Sequence, residues 1–113
     1  MATKAEIATK VMQYLGRLQA GQTINSDDST LIQDAYDSLY LNLQADHSVD
    51  WGPDDDIPQQ FEIQITMLLA NQSPVCKAFG VPVDYNDLTV AQRTIDKSLA
   101  IDDNKQPAQI QNF

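Results

Sequence analysis

The residues best suited to chemistry are four closely spaced aspartates, Asp50 and Asp54 to Asp56. Clustered carboxylates can attract a divalent cation, but the alternating acids, central glycine and closing glutamate of a calcium-binding loop are missing here. We interpret Asp55 and Asp56 instead as caps of the helix that follows, a role that needs no ion. The sequence therefore predicts no metal site, and cation binding by this cluster is the alternative.

His47 is the only histidine in the chain and Cys76 is the only cysteine. A two-histidine metal site, a Cys–His pair with an orienting base and a disulfide within the chain are therefore not predicted. We interpret His47 as a solvent-exposed loop residue, with a pH-sensitive interface contact as the alternative. Cys76 is predicted to be a small buried hydrophobe rather than a nucleophile.

Other catalytic patterns are also missing from the sequence. The four glycines are scattered and form no phosphate-binding loop. Carboxylates at a catalytic separation remain possible, but no apolar pocket is implied around any pair of them. Because neither a catalytic constellation nor a cofactor motif is present, we predict that the protein is not an enzyme and uses no cofactor.

The chain is strongly acidic, with fourteen Asp and two Glu against seven Lys and Arg, which gives a formal charge of −9. Such a chain repels phosphate backbones, so conventional nucleic-acid binding is disfavoured, although DNA can slide past a negative wall. The first ten residues lack the apolar core of a signal peptide, and no apolar run is long enough to span a bilayer. We expect a soluble, intracellular protein without a membrane partner.

The elements that must position these residues are predicted to be helices. Thr3 and Glu6 have the spacing of a capping box, and apolar residues at helical spacing follow them. Because Gly16 and Gly21 weaken the end of this segment, we expect the first helix to end between them. This is the first of four helices, with a fifth possible.

A second helix is predicted from Ser26 to about Asp46, since Ser and Asp residues favour its start and a 3,4 apolar spacing follows. Tyr40 and Leu41 widen its apolar stripe beyond one face, which is typical of a second packing partner such as a neighbouring subunit. The loop that follows contains Trp51. We interpret Trp51 as a lid over the core, with an interface anchor as the alternative.

The segment 54–80 is predicted to hold a central buried helix against which the other helices pack, with Pro58 in its first turn. Ile63 and Met67 form a second apolar face, which we interpret as a possible subunit contact. Residues 61–67 also alternate with the period of a half-buried strand, and this remains the alternative. Pro74 removes one backbone hydrogen bond, so the helix either kinks there or restarts at Ser73.

Gly80 is a natural helix stop, and the three residues after it are predicted to be extended. A last helix, capped by one of the acids or the asparagine at 84–87, is expected to end near Ile101. Residues 102–113 are polar and are predicted to form an extended or disordered arm. Ile110 and Phe113 give this arm the composition of a docking tail, with a frayed terminus as the alternative.

The predicted architecture is therefore an all-α bundle of four to five helices, residues 1–101, followed by the arm, residues 102–113. Seven residues are candidates for a subunit or partner interface: Tyr40, Leu41, Trp51, Ile63, Met67, Ile110 and Phe113.

This order of parts resembles the head-to-tail adaptor proteins of short-tailed bacteriophages, also described as head-completion or tail accessory factors. The resemblance covers about residues 3–101. It rests on the following parts, in order: the helix EIATKVMQYLGRL, the helix STLIQDAYDSLYLNL, a loop with Trp51, the entry DDDIP, a long apolar helix, a Val-Pro-Val-Asp-Tyr corner and a last helix.

The resemblance implies a virion protein at the head–tail junction, which is present in the host cytoplasm during assembly. It implies a ring of identical subunits, typically about twelve, docked beneath the portal protein. Such a ring would extend the channel for double-stranded DNA, retain the packaged genome and offer a platform for tail or nozzle proteins. The alternative is an acidic helical regulatory or inhibitor protein that binds a basic protein partner.

Overall fold

The computed structural model describes the backbone of residues 2–104 and the side chains of residues 2–100. Five α-helices lie in this range: α1 (Lys4–Tyr14), α2 (Ser26–Asp46), α3 (Glu62–Ala70), α4 (Ser73–Phe79) and α5 (Tyr85–Asn104). A single 3-10 turn, Gln59–Phe61, leads into α3. Over residues 2–104 there is no β-strand, and the predicted all-α class is confirmed.

The helix α3 lies at the centre of the fold and contacts each of the other four helices. Its residues Ile65, Leu68 and Leu69 are fully buried, which is the 3,4 spacing of a helix. Ile63 is 70% exposed although Phe61 and Ile65 on either side of it are buried. The strand alternative for this segment is therefore wrong, and the predicted central helix is confirmed.

The helix α1 begins with the predicted capping box. The Thr3 hydroxyl accepts a hydrogen bond from the Glu6 amide at 3.1 Å, and the Glu6 carboxylate accepts one from the Thr3 amide at 3.1 Å. The helix ends at Tyr14, before the predicted interval, because Gly16 adopts a left-handed φ of 75° close behind it. The segment between Gly16 and Gly21 is therefore loop.

The helix α2 has the predicted bounds, Ser26–Asp46. Its cap is Asn25, whose side-chain oxygen accepts a hydrogen bond from the Asp27 amide at 2.8 Å. Asp27 and Asp28 lie in the first turn, where the helix dipole favours negative charge.

The start of the central helix differs from its prediction. Asp55 and Asp56 do not cap it; the Asp55 carboxylate accepts a hydrogen bond from the Gly52 amide at 2.8 Å instead. Ile57 is held extended by two backbone hydrogen bonds to Ala2, of 3.1 and 2.7 Å. Because this pairing fixes the backbone at Ile57, the chain turns helical only after Pro58, which precedes the 3-10 turn rather than occupying the first turn of a helix.

The later helix boundaries follow local signals. The helix α3 ends at Ala70, and α4 begins at Ser73 with Pro74 in its first turn. Of the two predicted outcomes, a kink or a restart, the chain therefore shows the restart. Gly80, with a φ of 65°, ends α4. Among the predicted caps of α5, Asp84 has the capping contact: its carboxylate accepts a hydrogen bond from the Asp87 amide at 3.1 Å.

The helix α5 runs to Asn104, three residues beyond its predicted end near Ile101. The rest of the predicted arm, with Ile110 and Phe113, lies outside the described residues. Within residues 2–104, no helix has both the length and the apolar character that crossing a bilayer requires.

Candidate functional site

The acidic loop is tied down by hydrogen bonds within the chain. Asp54 accepts a hydrogen bond from the Lys4 ammonium at 3.1 Å, and Asp55 pairs with the Gly52 amide. Among the residues that the structure describes, no three His, Cys, Asp or Glu side chains converge on a point where a metal ion could bind. The hydrogen bonds from Lys4 and Gly52 therefore help to fix the position of the loop.

Cys76 is buried, and its thiol donates a hydrogen bond to the Ala70 carbonyl at 3.1 Å. Burial raises the pKa of the Cys76 thiol above its ordinary value. A thiol held protonated in an apolar site is a poor nucleophile, so the prediction of a small buried hydrophobe is confirmed.

His47 is not a solvent-exposed loop residue, and that interpretation is wrong. Its side chain is only 15% exposed, and its Nε2 lies 3.1 Å from the Asp96 carboxylate. Asp96 also accepts a hydrogen bond from Gln92 at 2.9 Å. Because His47 directly follows α2 and Asp96 belongs to α5, this contact joins the end of α2 to the last helix.

Two of the predicted interface residues, Tyr40 and Trp51, are buried inside the chain at 3% and 6% exposure. The Trp51 indole N–H donates to the Tyr36 hydroxyl at 2.9 Å, and the Tyr40 hydroxyl donates to the Trp51 carbonyl at 2.5 Å. The Trp51 ring packs on Phe61 with ring centroids 5.1 Å apart. In the single chain Trp51 is therefore a lid over the core, and Tyr40 is buried beside it.

Among the described residues, the exposed interface candidates lie in two separate grooves that belong to different helices. The first is the α1–α3 groove, a cavity of about 450 Å³ in which Ile63 is 70% exposed and Met67 is half-buried. Its lining residues come from α1, α3 and the turn between the loop and α3: Lys10, Tyr14, Gln59, Glu62, Ile63, Thr66 and Met67. Lys10 and Glu62 form an ion pair at its edge.

The second is the α2–loop groove, a cavity of about 260 Å³ around Leu41, which is 64% exposed. It is lined by Asp37, Tyr40, Leu41, Gln44, Pro53 and Asp54. The Lys4 ammonium lies 3.0 Å from the Asp37 carboxylate and 3.1 Å from that of Asp54. Three of the described interface candidates are at least partly exposed: Ile63, Met67 and Leu41. They lie in two different grooves.

The charge of the protein is unevenly distributed along the fold. Residues 26–58, which comprise α2 and the loop after it, contain nine Asp and no Glu, Lys or Arg. The rest of the chain contains seven acidic and seven basic residues, so α2 and its loop carry the whole formal charge of −9. The α2–loop groove therefore lies in the acidic part of the protein, whereas the α1–α3 groove lies in the balanced part.

The ion pair in the α1–α3 groove predicts a pH effect. The hydrogen bond from Lys10 lowers the pKa of Glu62 below its ordinary value of 4.5. A carboxylate with a lowered pKa in the folded state stabilises the fold above its unfolded pKa, and this contribution is lost as the pH falls through the folded value. We therefore expect Glu62→Gln to remove part of the loss of thermal stability that the wild-type protein shows on acidification below about pH 4.5.

The measurement is the melting temperature of both proteins between neutral and acidic pH at low salt. The difference is expected to be small and to shrink in high salt, because the Lys10 side chain of the pair is 47% exposed. Lys10→Gln is the matched control, since it removes the same pair and keeps the carboxylate. If wild type and Glu62→Gln lose stability in parallel, the pair does not act in this way.

Comparison of the chain with protein-family models, with curated proteins and with solved structures finds no match.

Proposed function

We propose that the protein is a structural head-to-tail adaptor of a short-tailed bacteriophage. Identical subunits, typically about twelve, form a ring beneath the portal protein. The ring extends the channel for packaged DNA, holds the genome in and provides the platform on which tail or nozzle proteins assemble. In this role the protein acts through its surfaces and without catalysis.

The observation that carries the proposal is the exposure of Ile63 on the central helix. An isoleucine that is 70% exposed in a groove of about 450 Å³ is an apolar surface without a cover in the single subunit. Burying such a side chain fully is worth about 1.5–3 kcal/mol, so a neighbouring subunit that covers Ile63 and Met67 gains stability. The balanced charge of this part of the protein allows copies to approach each other there.

The acidity of the protein suits a DNA channel. A charge of −9 on each subunit amounts to on the order of a hundred negative charges around a ring of this kind. A wall with this charge repels the phosphate backbone, so that DNA moves past it without binding.

The test is electron microscopy of the purified protein mixed with the portal protein encoded in the same genome. We expect an additional ring of density on one face of the portal. Ile63→Ser should prevent this ring from forming, because it removes the apolar contact between neighbouring copies. Val90→Ser is the matched control, since Val90 is also an exposed apolar residue, at 46%, but lies on α5.

A protein that stays monomeric beside intact portal rings would contradict the adaptor function and favour the alternative of an acidic regulatory protein. A ring that forms equally well with Ile63→Ser would keep the adaptor function but remove the α1–α3 groove from its subunit contact.

A further inference from the structure

The α2–loop groove combines an exposed apolar side chain with carboxylates on both of its walls. Leu41 is 64% exposed, and Asp37 on α2 and Asp54 on the loop line the same cavity of about 260 Å³. Asp34, Asp37 and Leu41 are spaced three and four residues apart, so they follow one stripe along α2. The groove is therefore apolar at its centre and acidic along its length.

The contact with Lys4 shows that these carboxylates suit a basic ligand. One ammonium group already lies within 3.0 Å of Asp37 and 3.1 Å of Asp54, so α2 and the loop place their acids close enough to share one cation. The side chains of Asp37 and Asp54 remain 51% and 88% exposed, which leaves their carboxylates accessible to a further basic group.

The charge of the surrounding surface decides which kind of molecule fits. Residues 26–58 contain nine aspartates and no Glu, Lys or Arg. The α2–loop groove of a second copy would therefore be repelled by the first. DNA is repelled for the same reason. The part of another copy outside residues 26–58 has equal numbers of acidic and basic residues, so it offers no net attraction. A positively charged polypeptide, in contrast, is attracted to the whole acidic surface.

We propose that the α2–loop groove is the docking site for a basic amphipathic segment of another protein. An apolar side chain of that segment covers Leu41, and its Lys or Arg residues pair with Asp34, Asp37 and Asp54. A helix that lays its apolar stripe in a groove while its flanking charges match the rim is a common form of recognition. The α2–loop groove shares no lining residue with the α1–α3 groove, so this docking site does not depend on the proposed subunit contact through Ile63.

The experiment measures binding by fluorescence anisotropy. The probe is a labelled synthetic helical peptide of Lys and Leu, with the leucines on one face. Two matched peptides serve as controls: one with Ser in place of every Leu, and one with Glu in place of every Lys. We expect the Lys–Leu peptide to bind, to bind more weakly as salt is raised, and to bind more tightly than either control.

Variants of the protein locate the site. Leu41→Ser should weaken binding about tenfold, because the apolar contact at the centre of the groove is lost. Ile63→Ser is the matched control, since Ile63 is exposed to a similar extent, at 70% against 64%, but lies in the other groove. Asp34→Asn combined with Asp37→Asn should weaken binding and flatten its salt dependence. Far-UV circular dichroism shows that each variant is folded.

Four results would overturn the proposal. The first two concern the peptides: no binding of the Lys–Leu peptide at low salt, or equally tight binding of the Lys–Ser peptide. The other two concern the site: an equal loss of peptide affinity in Leu41→Ser and Ile63→Ser, or binding of duplex DNA that Leu41→Ser abolishes. Sedimentation velocity adds one more: self-association that Leu41→Ser removes would make a second copy the occupant. Failure here leaves the portal experiment unaffected, because that experiment depends on Ile63.

Discussion

Trp51→Ala is expected to lower the free energy of unfolding by about 3–5 kcal/mol, the range for removing a large buried aromatic side chain. Trp51 is 6% exposed and its ring lies against Phe61. The substitution leaves a cavity in this cluster and leaves the Tyr36 hydroxyl without the indole N–H at 2.9 Å. In a domain of this size, such a loss is a large part of the total stability.

Urea denaturation followed by far-UV circular dichroism measures this change, since the variant has no tryptophan left for fluorescence. Trp51→Phe should lose clearly less than Trp51→Ala, because it keeps a ring in the cluster and removes only the indole hydrogen bond. Tyr85→Ala is the exposed control: Tyr85 is 72% exposed and its removal should change stability by less than about 0.5 kcal/mol. A Trp51→Ala variant as stable as Tyr85→Ala would show that the loop does not cover the core.

Asn71→Ala is expected to lower the free energy of unfolding by about 2–3 kcal/mol, because it breaks a buried polar junction. Asn71 is 3% exposed and joins three parts of the chain. Its amide donates to the Met67 carbonyl at 2.9 Å and to the Tyr14 hydroxyl at 3.4 Å, and its oxygen accepts the Asp84 amide at 2.9 Å. Without Asn71 the start of α5 loses its link to the end of α3.

Thermal and urea denaturation both report this loss. Gln72→Ala is the matched control, because Gln72 is half-buried and its side-chain amide donates to the nearby Leu68 carbonyl at the end of α3, at 3.1 Å. Its removal should change stability by about 1 kcal/mol or less. Equal effects of the two substitutions would mean that Asn71 acts only as a local helix cap and does not hold α5.

Most helix boundaries could be predicted from the sequence because the interactions that set them are local. The capping box joins Thr3 to Glu6, and the restart at Ser73 depends on Pro74 one residue later. Gly80 ends α4 by its own backbone conformation. Each of these signals lies within a few residues of the boundary it sets, so a single sequence contains it in full.

The start of the central helix could not be predicted, because a distant residue decides it. The pairing of Ala2 with Ile57 joins positions far apart in the chain and holds Ile57 extended. Asp55 and Asp56 have the composition of helix caps, but this long-range pairing overrides their local preference. The contacts of Lys4 with Asp54 and of His47 with Asp96 were missed for the same reason, since no local pattern connects such positions.

Composition and periodicity are enough to predict a helical, acidic protein with one histidine and one cysteine, since each residue type and its spacing can be read directly. Which apolar residues form surfaces depends on how the helices pack. Trp51 and Tyr40 are in the core while Leu41, next to Tyr40, is exposed. Periodicity shows that a helix has a wide apolar stripe, but the packing of its neighbours determines how much of that stripe is covered.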